Sequence, residues 1–92
     1  GKYDIINVII EEALKILENV FENNHIQYAV FLQEICVIYE NLNDYANFYK
    51  YLTIVKQIFD NIFGENNETS KGLDTILNNV QKALQDQTNT EL

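Results

Sequence analysis

The sequence predicts an all-α fold, in which four helices form antiparallel helical hairpins of an α-solenoid fragment with a C-terminal capping helix. Apolar residues recur at intervals of three and four along most of the chain, which is the period of a buried helix face. The chain contains no Pro and only three Gly, so few positions interrupt a helix. A weakened copy of the segment 21–29 also begins forty-two residues later, at Phe63. A repeat of that length is typical of a two-helix solenoid unit.

The first predicted helix covers residues 3–21 and is apolar on two faces. One face, expected to be buried, steps by three and four residues. It consists of Ile6, Ile9, Ile10, Ala13, Leu17 and Val20. Ile5, Val8 and Ile16 lie beside it. Because both faces are apolar, we expect this helix to have neighbours on two sides.

The second predicted helix covers residues 26–41. Asn24 is predicted to be its N-cap, and Gln27 three residues later completes a capping-box pattern. The apolar face of this helix is expected to be buried. It consists of Tyr28, Ala29, Leu32, Ile35, Cys36 and Tyr39. In the break that follows, Asn43 suits the left-handed conformation of a tight turn, and Asp44 suits the N-cap of the next helix.

The third predicted helix covers residues 45–63 and ends at Gly64, because Gly commonly terminates helices. The fourth covers residues 68–85 and has a single narrow apolar stripe. The stripe consists of Leu73, Ile76, Leu77, Val80 and Leu84. A terminal helix that is apolar on one side is expected to cap a solenoid, because its outer face meets water. We expect residues 1–85 to form one domain and residues 86–92 to be a frayed tail.

The residues around the first loop follow a recognisable order. An aromatic residue ends one helix, and a polar loop with a His follows. A small residue then opens a helix whose apolar core includes a Tyr, and a turn leads to a second Tyr. These positions are Phe21, His25, Ala29, Leu32, Ile35, Cys36, Tyr39 and Tyr45. This order resembles tetratricopeptide repeats, specifically the long forty-two-residue variety of kinesin light chains. The loop prolines of that family are absent, and Ile6 and Phe48 replace small residues.

The resemblance implies a scaffold or adaptor that acts as a protein–protein interaction module. In this family the concave surface is lined by the first helix of each unit, which is here the second predicted helix. The expected partner-binding residues are Val30, Gln33, Glu34, Val37, Glu40 and Asn41. We expect this face to bind a peptide or helix, and the carboxylates of Glu34 and Glu40 favour a basic one.

Two alternatives remain open. In the first, the chain is a structural or assembly element whose first helix pairs with a second copy, or packs on an upstream helix. That contact would use Ile5, Val8 and Ile9, since large apolar patches are rarely left open to water. In the second, the chain is an isolated antiparallel four-helix bundle without repeat ancestry.

Composition argues against several function classes. The net charge of −8 disfavours nucleic acid and anionic membrane surfaces as partners. No apolar run is long enough to cross a bilayer, so we expect no membrane insertion. Cys36 is the single Cys and is expected to be a small buried packing residue in a reducing compartment. No secretory leader is visible, so we expect a cytoplasmic location.

Catalysis and metal binding are not expected either. His25 is the only His, and the resemblance explains it as a loop-structuring residue. No helix carries the Glu-x-x-His spacing of a metal site, and no Gly-rich loop that could bind phosphate occurs. We therefore expect no enzyme activity, no cofactor and no metal.

Overall fold

The computed structural model describes residues 2–21 and 25–91, with side chains described for residues 4–21 and 25–87. The described residues form four α-helices and no β-strand, which confirms the all-α prediction. The helices are α1 (Lys2–Phe21), α2 (Ile26–Asn41), α3 (Tyr45–Phe63) and α4 (Glu68–Glu91).

The end of α4 differs from the prediction. We expected the helix to end at Gln85 and residues 86–92 to be frayed, whereas α4 continues to Glu91. The segment from 86 to 91 contains neither Gly nor Pro, so nothing in it stops the helix. Leu92 lies outside the described residues.

The turn between α2 and α3 has the predicted chemistry. Asn43 adopts the left-handed conformation, with φ 57°. The N–H groups of Asn43 and Asp44 donate to the carbonyl oxygens of Glu40 and Tyr39, at 3.0 and 2.9 Å, which is the Schellman pattern of helix termination. Asp44 then acts as the N-cap of α3, because its Oδ1 accepts the N–H of Asn47 at 3.2 Å.

The N-cap of α2 is His25 rather than Asn24, which lies outside the described residues. His25 has an extended backbone, and its Nδ1 accepts the N–H of Gln27 at 3.0 Å. Its ring also stacks on Phe21 at the end of α1, with centroids 5.7 Å apart. An imidazole nitrogen therefore performs the task that the sequence assigned to an Asn oxygen.

The centre of the core lies between α2 and α3, which pack together more extensively than any other pair of helices. All six apolar residues predicted for the α2 face are buried. Tyr39 stacks on Tyr51 of α3 with the rings 5.7 Å apart and nearly parallel. On α4, Ile76 is 42% exposed although it was expected to be buried, and Ser70 is fully buried.

The inward face of α1 is rotated from the predicted stripe. Ile10 and Leu14 are buried, whereas Ile9 and Val20 are 61% and 63% exposed. Leu14 was not part of the prediction. The helix therefore buries a narrower face than the pattern suggested, and Ile9 and Val20 join the outer apolar side.

The helices are arranged in sequence order, and the described part of the chain is flat. Cα atoms extend over 40 × 33 × 16 Å. Each helix packs on its neighbour in sequence, and within the described residues no Cα atom of α1 lies within 8 Å of α3 or α4. Within the described residues, one side of α1 therefore has no other helix packed against it.

Candidate interaction surfaces

The first candidate surface is the predicted partner-binding face, called here the outer α2 face. It comprises Val30, Gln33, Glu34, Val37, Glu40 and Asn41. Val30 and Val37 are 42% and 53% exposed. Glu34, Glu40 and Asn41 are exposed as well, while Gln33 is half-buried. The structure thus brings an apolar centre and two carboxylates together on one side of α2.

The second candidate surface is the outer α1 face, which comprises Ile5, Val8, Ile9, Ile16 and Val20. Each of these side chains is between 59% and 63% exposed. The three predicted self-association residues, Ile5, Val8 and Ile9, together line a shallow hollow with Asp4. Ile16 and Val20 extend the apolar surface by about three further turns of the helix.

A pair of opposite charges lies in the middle of α1, beside these apolar residues. The ammonium of Lys15 donates to the Glu12 carboxylate at 3.5 Å, and both side chains are largely exposed. Because water screens such a pair, it contributes little to the stability of one chain. Both groups are therefore able to exchange partners at low cost.

The third surface is a groove of about 400 Å³ between α1 and α3, which the sequence did not reveal. The α1 side contributes Glu11, Leu14, Lys15 and Glu18, Tyr28 comes from α2, and α3 contributes Lys50, Tyr51 and Ile54. Tyr28 and Val37 are nine residues apart, which is half a revolution on a helix. The groove therefore lies on the side of α2 opposite the outer α2 face.

The Tyr28 hydroxyl links two walls of the groove. Tyr28 Oη donates to Glu18 Oε1 at 3.1 Å, which joins α2 to α1. Burial, with the adjacent Glu18 carboxylate acting in the same direction, raises the pKa of Tyr28 to about 12. The Lys50 ammonium lies 5.1 Å from the centroid of the Tyr51 ring on the opposite wall. No sequence signal marks the Tyr28–Glu18 pair, because the two residues are separated by a loop.

The single cysteine of the chain, Cys36, lies in the packed core. Cys36 is buried, and its Sγ lies 4.0 Å from the carbonyl oxygen of Phe48. Burial, together with the nearby Glu40 carboxylate, raises the pKa of the Cys36 thiol to about 12. A thiol in this state is a poor nucleophile at neutral pH.

The described residues contain no cluster of metal ligands and no helix suited to a bilayer. Among them, no group of three or more His, Cys, Asp or Glu side chains is arranged to hold a metal ion. Within the same residues, no helix has the length and apolar character needed to cross a bilayer.

Comparison of the chain with models of protein families, with curated proteins and with solved structures yields no match.

Proposed function

We propose that this chain is a non-catalytic protein–protein interaction module that binds a peptide or helix, as a scaffold or adaptor does. The observation that carries the proposal is the outer α2 face, where Val30 and Val37 stand exposed beside the carboxylates of Glu34 and Glu40. An apolar centre bordered by charge is the usual composition of an interaction surface. The excess of acid on this face favours a basic partner.

Two features support a tetratricopeptide-like solenoid as the underlying architecture. Helices that pack mainly on their sequence neighbours, within a layer only 16 Å thick, are what a solenoid requires. In a closed four-helix bundle, the first and last helices would also pack against each other. The residue order around His25 and Tyr39 points the same way.

A single Cys that is free and buried supports a proposal that the module works in the cytoplasm.

A synthetic amphipathic helix of Leu and Lys, labelled with a fluorophore, tests binding at the outer α2 face. We expect the anisotropy of this peptide to rise on titration with the protein. Glu34→Gln with Glu40→Gln should weaken binding several-fold, and Val37→Asn should weaken it at least as much. The matched control is Glu65→Gln with Glu68→Gln, which removes the same charge from another exposed surface.

Equal losses in both double variants would contradict this proposal, because binding would then follow net charge rather than the outer α2 face. The proposal would also be contradicted if Val37→Asn bound the peptide as tightly as the wild type.

A second candidate function, a structural or assembly role, is favoured by the outer α1 face. Five large aliphatic side chains on one helix, each about three-fifths exposed, form an apolar patch of the kind that interfaces cover. Light scattering coupled to size-exclusion chromatography tests this role. The wild-type chain should exceed its monomer mass of 10.8 kDa, and Ile5→Lys with Val8→Lys should return it to that mass.

A further inference from the structure

The apolar residues along the outer α1 face have a self-complementary spacing. Ile5 and Val20 lie equally far from the midpoint between Glu12 and Ala13, on opposite sides of it. Ile9 and Ile16 also lie equally far from that midpoint. When two copies of such a helix run antiparallel about that midpoint, Ile5 lies opposite Val20 of the other copy and Ile9 lies opposite Ile16. An isologous interface requires this type of pattern. If residue i of one copy contacts residue j of the other, then residue j of the first copy must contact residue i of the second.

The same register also pairs charges. Lys15 of one copy lies opposite position 10 of the other. Position 10 is two residues from Glu12 of that copy, which corresponds to about 3 Å along the helix axis. Within one chain, Glu12 and Lys15 are three residues apart, or about 4.5 Å along the axis. A two-fold axis keeps equivalent residues on the same edge of a helix pair. Glu12 therefore lies near Lys15 of the second copy twice, once in each direction. The two ammonium groups offset the repulsion between the two Glu12 carboxylates, which face each other across the two-fold axis.

We propose that the outer α1 face binds a second copy of this chain, with the two α1 helices antiparallel and a two-fold axis between Glu12 and Ala13. This inference rests on the second candidate function and specifies its partner and its register. Ala13 lies beside the axis, where a small side chain permits close approach of two helices. The apolar pairs provide the affinity, and the Glu12–Lys15 pairs select the antiparallel orientation.

A contact built on one helix from each copy is small. Interfaces of that size are usually weak, so we expect a dissociation constant on the order of micromolar. Each chain also carries a net charge of −8, which opposes association at low salt. Measurements at physiological ionic strength, where the Debye length is about 8 Å, remove most of this long-range repulsion.

The first measurement is the mass of the full 92-residue chain by light scattering over a hundredfold range of concentration. We expect a shift from 10.8 kDa towards twice that mass. Ile9→Lys should remain monomeric throughout, because the new charge would face Ile16 of the other copy. Val37→Lys, on the outer α2 face, is the matched control and should dimerise like the wild type. Both positions are more than half exposed, and circular dichroism verifies that each variant is folded.

The second measurement tests the register by disulfide formation. A mixture of Ile5→Cys and Val20→Cys chains should form a covalent dimer under mild oxidation. Ile5→Cys alone should not, because its two copies would lie fifteen residues, or about 22 Å, apart along the helix axis. Cys36 does not compete, since it is buried and its thiol has a pKa raised to about 12.

Each outcome supports or overturns a distinct part of the proposal. A monomer at every concentration overturns both self-assembly and this register. A dimer in which Ile5→Cys links to itself overturns the antiparallel register and leaves self-assembly standing. A dimer that Val37→Lys disrupts and Ile9→Lys does not would place the contact on the outer α2 face and overturn the inference.

Discussion

Tyr39 on α2 donates a hydrogen bond from its hydroxyl to Asn7 Oδ1 on α1 across 2.6 Å. The ring of the same tyrosine stacks on Tyr51 of α3, so one buried side chain connects three helices. The contact matters most for α1, which packs on α2 less extensively than the other neighbouring helices pack together. A second hydrogen bond, from the Tyr28 hydroxyl to Glu18, also joins α2 to α1, nearer the C-terminal end of α1.

Replacing Tyr39 with Phe should loosen α1 selectively. The ring stack with Tyr51 is retained, while Asn7 loses the donor that satisfies its carbonyl oxygen. We expect a loss of about 1 kcal/mol in the free energy of unfolding. Amide hydrogen exchange should accelerate in α1 more than in α3. Tyr45→Phe is the control, because its exposed hydroxyl makes only a 3.4 Å contact with Asn43. Equal acceleration in both helices would show that the hydroxyl does not hold α1 in particular.

His25 should stabilise the start of α2 in two ways that substitution separates. His25→Ala removes both the N-cap acceptor and the stack on Phe21, and should cost about 1 kcal/mol. His25→Asn restores an acceptor suited to an N-cap without restoring the ring, so it should recover a large part of that loss. Chemical denaturation of the three proteins measures the difference. Equal losses in both variants would assign the stabilisation to the ring and not to the cap.

The two helix-associated glycines should respond to alanine in opposite directions. Gly64 ends α3 with φ 89° and ψ 156°, a conformation that residues with a Cβ rarely adopt. Gly64→Ala should therefore cost roughly 1–3 kcal/mol, even though nothing lies within 4 Å of the added Cβ. Gly72 lies inside α4 with equally open space, and Gly72→Ala should stabilise the protein by about 0.5–1 kcal/mol. The midpoint of urea denaturation should fall in Gly64→Ala and rise in Gly72→Ala. An unchanged midpoint in Gly64→Ala would contradict the inference that a side chain at position 64 is strained.

Asp60 should make stability depend on pH at the acid end. Its carboxylate accepts a hydrogen bond from Lys56 at 2.6 Å, which lowers the pKa of Asp60 below its ordinary value of 3.8. The resulting stabilisation is complete above pH 3.8 and is lost as pH falls through the lower pKa of the folded state. The Lys56 ammonium also lies 3.5 Å from Asp74, so the cluster joins α3 to α4.

We therefore expect Asp60→Asn to unfold at lower urea concentration than the wild type at neutral pH. The gap between the two midpoints should narrow as pH falls below 3.8. Glu65→Gln, exposed in the loop that precedes α4, serves as the control and should leave the urea midpoint near that of the wild type. A gap that stays constant through this range would show that the ionisation of Asp60 does not contribute to folding.

Local features of the sequence were enough to predict most helix boundaries. The bounds of α2 and α3, the left-handed Asn43, the Asp44 cap and the Gly64 terminus all match the prediction. Each of these depends on hydrogen bonds between residues less than six apart, so the information is present in a short segment. Three boundary details differ from the prediction: α1 starts one residue earlier, His25 is the N-cap of α2, and α4 is longer.

The candidate surfaces were predictable only in part. The outer α2 face follows from the α2 period, because the residues opposite a well-defined buried stripe must point outwards. The groove between α1 and α3 was not predictable, since its walls come from residues such as Glu18 and Lys50 that only the fold brings near each other.

For this protein, the sequence alone determined that four helices form, where α2 and α3 begin and end, and that α1 has two apolar faces. The tertiary structure decided which of those faces is buried. Asn7 and Glu18 lie on one side of α1 and receive the hydroxyls of Tyr39 and Tyr28. This arrangement turns Leu14 inwards and leaves Ile9 and Val20 in solvent. The physical reason is that helix period and capping act over a few residues, whereas the rotation of a helix about its axis depends on partners that are distant in the chain.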